Sequence, residues 1–242
     1  MRGDECLSAE DLVCTLGGRA VLRGVSFVVK EGGCLVVYGD NGSGKTVLCD
    51  ALCGLVPGHS GTVRALGADI GKLSARKRFR SYMSRAFQVP RFPSRVTVRQ
   101  WLGLSASGGL WPRLGPRAGS TMSVRGAQAL ALARELGVAG LLDRPGSELS
   151  DGERRLAALA AVVLRERPCL ILDEPLAGLS GDACNRAMSV LAREKLRGKG
   201  LVVIEHRMDT VLALADQTMR LYHDGTSALS ISPEGSSVRR PR

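Results

Sequence analysis

Residues Gly39–Thr46 read GDNGSGKT and fill every fixed position of the pattern G-x-x-x-x-G-K-[ST]. These residue types at this spacing make a cradle for phosphate. Gly39, Gly42 and Gly44 let the backbone curl closely, so that N–H groups from Asp40, Asn41 and Ser43 point inward, and a following helix adds positive potential. Lys45 is placed to reach the β- and γ-phosphates and the Thr46 hydroxyl to ligate Mg²⁺. The plain alternative is a glycine-rich turn that happens to end in Lys-Thr. The flanks argue against it. Cys34–Tyr38 is a short apolar run that reads as a buried strand, and Val47–Leu55 is helix-compatible up to the turn at Pro57-Gly58.

Other polar residues stand where a nucleotide site needs them. Asp173 closes the apolar run Cys169–Leu172 and suits a carboxylate that supports Mg²⁺. Glu174 beside it suits a group that orients or deprotonates water; simple surface acidity is its alternative. His206 ends the strand-like Leu201–Ile204 and could meet a γ-phosphate, or simply cap a strand end. Gln88, between Phe87 and Val89-Pro90, could report on Mg²⁺ and water. Ser150-Asp151-Gly152-Glu153 forms a capping box before an apolar helix, worth about 1 kcal/mol whatever the function, and the same helix start can hold a phosphate.

The elements that position these groups alternate along the chain. Leu12–Val13 and Val25–Val29 read as β segments joined by the turn Leu16-Gly17-Gly18-Arg19, and Gly61–Val63 with the stretch to Ile70 reads as another strand pair. Gly103–Gly119 reads as an irregular loop, in which Trp111 is an anchor or an exposed contact. Helices are expected from Ala127 to Leu136, from Ser150 to Pro168, and from Ala183 to about Leu196. In the second, Leu156, Leu159, Ala160, Val163 and Leu164 form an apolar stripe. Strands alternating with helices predict a mainly parallel sheet with ligand at the strands' C-terminal ends. The phosphate loop, Asp173-Glu174 and His206 each follow a strand and should share one crevice.

At 242 residues the chain can hold one large α/β domain or a domain with a subdomain. Its longest apolar run, Leu156–Leu164, is far short of the ~20 residues of a spanning helix. The acidic start, MRGDECLSAED, lacks the apolar core of a secretory signal, so a cytoplasmic protein is expected. The seven cysteines lack a C-x-x-C pair and read as buried reduced thiols. The net charge is +11, and residues 70–134 hold 13 Lys or Arg with no acid. That concentration predicts a surface facing nucleic acid, an anionic membrane leaflet or an acidic partner, with plain solvated charge as the alternative.

In order and spacing, GDNGSGKT, Gln88, Leu149-Ser150-Asp151-Gly152-Glu153, CLILDEP and His206 resemble an ABC-type ATPase over about residues 7–225. LSDGE is similar to that family's signature LSGGQ. SRAFQVPRFPSRVTV, DEPLAGLS and VVIEHRMD are similar to stretches of branched-chain amino acid and urea importer ATPases. The resemblance implies an α/β fold: a phosphate-loop (RecA-like) ATPase core over 1–88 and 166–225, with an N-terminal antiparallel β portion. An inserted helical subdomain would occupy 89–165, and 226–242 a flexible tail.

The resemblance also implies ATP and Mg²⁺ as ligands and a head-to-tail dimer, homomeric or heteromeric. ATP would be sandwiched between one subunit's loop and the other's Ser150 and Gly152. Glu174 would activate water, Gln88 and His206 would sense the γ-phosphate, and Thr46, Gln88 and Asp173 would serve the metal. The expected partners are an integral membrane permease, beneath which the chain would sit on the inner face of the cell membrane, and a periplasmic or extracellular solute-binding protein. Nucleic acid is not expected. A soluble ABC-type ATPase acting on nucleic acid or a protein complex is the alternative function. Four departures stand out: Leu16 where an adenine-stacking aromatic is usual, Glu153 for the signature Gln, Ser180 for a common Asp, and a short, irregular stretch between Val98 and Ala127.

Overall fold

The computed structural model describes residues 4–56, 58–88, 92–107 and 124–231. Trp111, most of the loop expected over 103–119, and residues 232–242 of the expected tail lie outside the described residues.

The first layer is a four-stranded antiparallel sheet. β1 (Glu5–Leu16) and β2 (Arg19–Lys30) pair from Glu5 with Lys30 to Leu16 with Arg19. Gly17 and Gly18 both take positive φ (56° and 80°), the backbone of a tight two-residue hairpin. β4 (His59–Ala65) pairs with β1, and β5 (Ala68–Asp69) pairs with β4. Both hairpin strands are longer than the short apolar segments predicted. Register shifts between Ala9 and Leu12, and between Leu12 and Cys14, break the two-residue alternation that the sequence reading follows.

The second layer is a six-stranded sheet in the order β10-β9-β3-β8-β7-β6. Its strands are β3 (Cys34–Tyr38), β6 (Met83–Ala86), β7 (Cys169–Asp173), β8 (Gly200–Ile204), β9 (Gln217–Leu221) and β10 (Ser227–Ile231). All neighbours run parallel except β9 and β10. β10 occupies the start of the stretch read as a flexible tail. β6 falls within the basic stretch, where Arg85 hides its strand character.

Alternate residues of the parallel strands feed two cores. Leu35, Val37, Ile171, Val202 and Ile204 face the antiparallel layer and helix α1 (Lys45–Cys53). Val36, Leu170, Leu172, Leu201 and Val203 face the other way. There they meet α5 (Asp151–Val163) and α6 (Gly181–Leu196), whose core residues include Leu156, Leu159, Val190 and Leu191. A sheet buried on both faces explains its near-continuous apolar strands. α3 (Val98–Ala106) and α4 (Val124–Glu135) pack with α5 into a helical cluster. The start of α3 is fixed by a Thr97–Gln100 capping box. Gly103–Ala106, expected in a loop, belong to that helix. Two short helices, α2 (Ala75–Ser81) and α7 (Met208–Val211), complete the described residues' α-helices.

All seven cysteines are free and buried. No helix among the described residues is long and apolar enough to cross a membrane.

Of the thirteen basic residues counted as surface charge, two among the described residues are internal. Arg78 is 1% exposed and donates to the carbonyls of Ala51, Leu52, Gly71 and Leu73. Arg85 is buried beneath the site described next. A five-donor guanidinium can be held inside wherever enough carbonyl or carboxylate oxygens converge, which net charge along a sequence does not reveal.

Candidate functional site

The three polar segments predicted to converge do so, because β3, β8 and β7 are direct neighbours in that order. Gly39–Gly44 leaves the end of β3 and enters α1, with Gly44 (φ 98°) as the helix N-cap. Two glycines here are sterically required. A Cβ on Gly39 (φ 150°) would lie 2.3 Å from the Leu221 carbonyl oxygen, and one on Gly44 would meet Val21 and Leu22 at 3.2 Å. Gly42 (φ 83°) is also in the left-handed region.

Lys45 folds back into this loop and donates to the carbonyls of Gly39 (2.7 Å) and Asp40 (2.9 Å). Burial lowers its pKa, while the charges of Glu174, Asp173 and Asp40 pull the other way. Its ammonium therefore sits in the field of the carboxylates at the end of β7, the next strand but one from β3. The Ser43 hydroxyl is buried in the loop without a hydrogen-bond partner among the described residues. Asp40 and Asn41 are exposed, as is Thr46 in the first turn of α1. His223, past the end of β9, brings its Nε2 to 3.8 Å from an Asp40 carboxylate oxygen.

At the end of β7, Asp173 is 2% exposed and accepts from Arg85 Nη2 at 3.2 Å. Arg85 also pairs with Asp50 of α1. Burial raises the Asp173 pKa, and the Arg85 charge opposes that rise. Glu174 holds φ 49°, uncommon for a residue with a Cβ, and its Oε1 lies 3.2 Å from His206 Nε2. Its backbone N–H donates to the Ile204 carbonyl of β8. Strain of this kind persists only where the surroundings fix it.

The fixing residues were missed by the sequence reading. Glu205, 2% exposed, accepts from the backbone N–H of Leu176 (2.8 Å) and of His206 (3.3 Å). Burial raises its pKa against those backbone bonds. Arg207 donates to the Leu179 carbonyl at 2.9 Å. The available signal for Glu205 was an acid directly after the fully apolar Leu201–Ile204. For Arg85 it was a lone charge amid small and apolar residues, Met83-Ser84-Arg85-Ala86.

Gln88 is exposed, two residues past β6. The capping box at the start of α5 is formed on both sides. Glu153 N–H donates to the Ser150 hydroxyl (3.3 Å), and Ser150 N–H donates to Glu153 Oε2 (2.8 Å). The Ser150 hydroxyl in turn donates to Glu153 Oε2 at 2.9 Å. These bonds, the backbone one foremost, hold the Glu153 carboxyl below the usual range. A Cβ on Gly152 would meet only Leu179, at an ordinary 3.4 Å, so nothing among the described residues demands glycine there. Leu16 is 40% exposed at the end of β1, on the hairpin whose Val21 touches the phosphate loop.

A Mg²⁺ ion prefers hard oxygen ligands and keeps much of its shell for phosphate and water. The Thr46 hydroxyl, Asp173 carboxylate and Gln88 amide are such donors. Among the described residues no group of three or more His, Cys, Asp or Glu forms a cage. The donor set therefore fits a metal held jointly with phosphates.

The ABC transporter family model matches residues 22–177. The hemin import ATP-binding protein HmuV of Streptomyces coelicolor is 36% identical over 223 residues, covering 90% of this chain and 75% of the relative. The zinc transport system ATP-binding protein TroB of Treponema pallidum is 30% identical over 215 residues, covering 89% and 77%. The zinc import ATP-binding protein ZnuC of Alkalilimnicola ehrlichii is 33% identical over 220 residues, covering 89% and 73%. A crystal structure of an ATP-binding cassette from an ABC transporter in its ADP conformation superposes with a TM-score of 0.79 at 26% identity, covering 95% of this chain and 92% of the other. A nucleotide-free cassette matches with the same TM-score at 25% identity and the same coverage. Branched-chain amino acid and urea importers, the subgroup expected from SRAFQVPRFPSRVTV, are not what these relatives' names carry. With the phosphate loop, the strand-end carboxylates and the signature helix in place, the chain belongs to the ABC transporter family, as an ATP-hydrolysing ATP-binding subunit.

Proposed function

We propose that this subunit powers solute import through a separate membrane permease, hydrolysing ATP between two cassettes packed head to tail. The observation that carries the reading is the meeting of the phosphate loop, Asp173-Glu174 and His206 at the ends of three adjacent strands, with Glu174 and His206 3.2 Å apart.

In this reading the loop N–H groups and Lys45 hold the phosphates, exchanging the two carbonyls that Lys45 now contacts for phosphate oxygens. Glu174 orients the attacking water and accepts its proton. His206 contacts the γ-phosphate and steadies the Glu174 carboxylate. Thr46, Asp173 and Gln88 hold the metal. A magnesium ion held there would supply positive charge to offset the charge on the phosphates. Ser150 and Gly152 serve the nucleotide held by the second subunit, which gives Gly152 a reason that the described residues of its own chain do not supply. Leu16 covers one face of the base.

The relatives named for zinc and hemin favour a metal ion or metal chelate as cargo over a branched-chain amino acid or urea. A solute-binding protein outside the membrane would deliver it. Exposed Arg76, Lys77 and Arg80 on α2 suit the anionic inner leaflet around a permease. The test is uptake of labelled zinc, hemin, leucine and urea by cells lacking this subunit, complemented by wild type or Glu174→Gln. Loss of zinc or hemin uptake, restored by wild type alone, is expected; loss of leucine or urea uptake instead would overturn the cargo class. Glutamine at 76, 77 and 80 should weaken binding to anionic vesicles with little loss of ATPase activity. Tight duplex DNA binding with a steep salt dependence, abolished in that variant, would favour a nucleic-acid ATPase.

A further inference from the structure

The segment after Glu174 is held by side chains from separate elements. Glu205, just past β8, takes the Leu176 N–H, and Arg207, two residues further, holds the Leu179 carbonyl. The third grip comes from the helical cluster. Arg155, in the second turn of α5 and half-buried, donates through Nη1 to the Ala177 carbonyl. Through Nη2 it donates to the Gln88 carbonyl at 3.0 Å. One guanidinium thus joins two loops that lie 89 positions apart in the sequence, counting from Gln88 to Ala177. Both loops carry residues of the hydrolysis site, and Arg155 itself stands on the helix that begins at Ser150.

We infer that Arg155 is a positioning residue for hydrolysis: it fixes the Gln88 and Ala177 backbones against each other and so sets Glu174 relative to Gln88. The inference rests on the proposed roles of Glu174 and Gln88. The geometry gives three reasons. Glu174 sits at φ 49°, so its orientation depends on restraint of the residues that follow. Gly178 (φ 71°) makes that segment a turn, in which the Ala177 carbonyl is an anchoring point. The planar fork of arginine can bond two carbonyls at once in a fixed geometry, whereas a lysine ammonium is a single flexible point. Misplacement of reacting groups by about 1 Å can cost about a hundredfold in rate.

The test is single-turnover ATP hydrolysis and equilibrium ATP binding by the full chain. The variants are Arg155→Lys, Arg155→Gln, Glu174→Gln, and each Arg155 variant combined with Glu174→Gln. Arg154→Lys is the control, since the neighbouring Arg154 bonds Asp151 and the Gly146 carbonyl and, among the described residues, donates to neither Gln88 nor Ala177. Turnover is expected to fall about ten- to a hundredfold in both Arg155 variants, with ATP affinity within about twofold of wild type and Arg154→Lys unchanged. Combined with Glu174→Gln, the Arg155 variants should add little, because they act through Glu174. A purely packing role predicts effects that multiply, or a loss of ATP affinity together with turnover, and either result overturns the inference. So does turnover within about twofold of wild type in both variants. Normal turnover in Glu174→Gln alone would instead overturn the catalytic assignment on which the inference stands.

Discussion

Replacing Arg78 with methionine removes a side chain that closes the end of α1. α1 begins at Lys45 and ends at Cys53, and the N–H groups of Gly54 and Leu55 reach back only to the Asp50 and Ala51 carbonyls. Arg78 Nη1 takes those of Ala51 (2.9 Å) and Leu52 (2.8 Å), while Nη2 and Nε take Gly71 (2.7 Å) and Leu73 (3.1 Å). Gly54 makes room for it: a Cβ there would lie 2.9 Å from Arg78 Nε. Charge-assisted bonds at about 1.5–3 kcal/mol each would sum to about 6–12 kcal/mol. That sum overshoots, because the buried guanidinium carries a desolvation penalty, visible in its lowered pKa, which methionine does not. What remains is the cost of leaving buried carbonyls unpaired, about 1–3 kcal/mol each, and a loss of about 3–5 kcal/mol in all is expected. For a chain of this size each kcal/mol moves the melting temperature about 2–4 °C, so Arg78→Met should melt about 6–20 °C lower. Circular dichroism melts of Arg78→Met beside the triple glutamine variant of Arg76, Lys77 and Arg80 make the measurement. The exposed three should each contribute within about 0.5 kcal/mol. A melting temperature within about 2 °C of wild type for Arg78→Met would refute the reasoning.

Two further outcomes are expected. Leu16 offers the base an aliphatic contact without the π surface worth about 1–3 kcal/mol in base–aromatic stacking, so ATP and GTP should be poorly discriminated. Leu16→Tyr should tighten binding up to about tenfold by nucleotide titration; strong rejection of GTP by wild type would place the base elsewhere. Glu194 of α6 is fully buried and paired with Arg193 (3.0 Å), Arg197 (3.3 Å) and Lys199 (2.5 Å). Burial alone would raise its pKa, yet Lys199 and Arg193 bring it below the usual glutamate value. A carboxyl depressed in the folded state stabilises above its unfolded value of about 4.3, and that stability drains away as pH falls through the folded value. Glu194→Gln should therefore lower the melting temperature at pH 7 and reduce its dependence on pH below about 4; unchanged acid dependence would remove Glu194 from the account.

The sequence was most legible where one strong local rule acts. GDNGSGKT, the Ser150–Glu153 box and the buried runs Cys34–Tyr38 and Cys169–Leu172 each carry their own geometry, and each element begins within two residues of its expected place, although the helix opened by the box ends at Val163, before Pro168. Legibility failed where long-range packing decides. Arg85 and Arg78 are indistinguishable in sequence from their exposed neighbours, because what buries them are oxygens supplied by distant segments. β9 and β10 have mixed burial and polar residues; β9 forms a strand because β3 offers an edge to pair with, and β10 because β9 then offers one. Arg155, Glu205 and Arg207 matter through backbone atoms on other elements, for which no motif exists. The cargo was least legible: in the proposed reading other chains recognise the solute, so the cassette's residues bear on it only indirectly.

The central claim is that Glu174, set at the end of β7 against His206, drives hydrolysis within a pair of cassettes. Glu174→Gln keeps the shape of the side chain and removes its ability to accept a proton. ATP turnover by the purified variant, followed together with size-exclusion chromatography in ATP, tests the claim most directly. Turnover should fall about a hundredfold or more while ATP binding persists, and an ATP-dependent dimer should accumulate. Turnover near that of wild type, with no dimer, would contradict it.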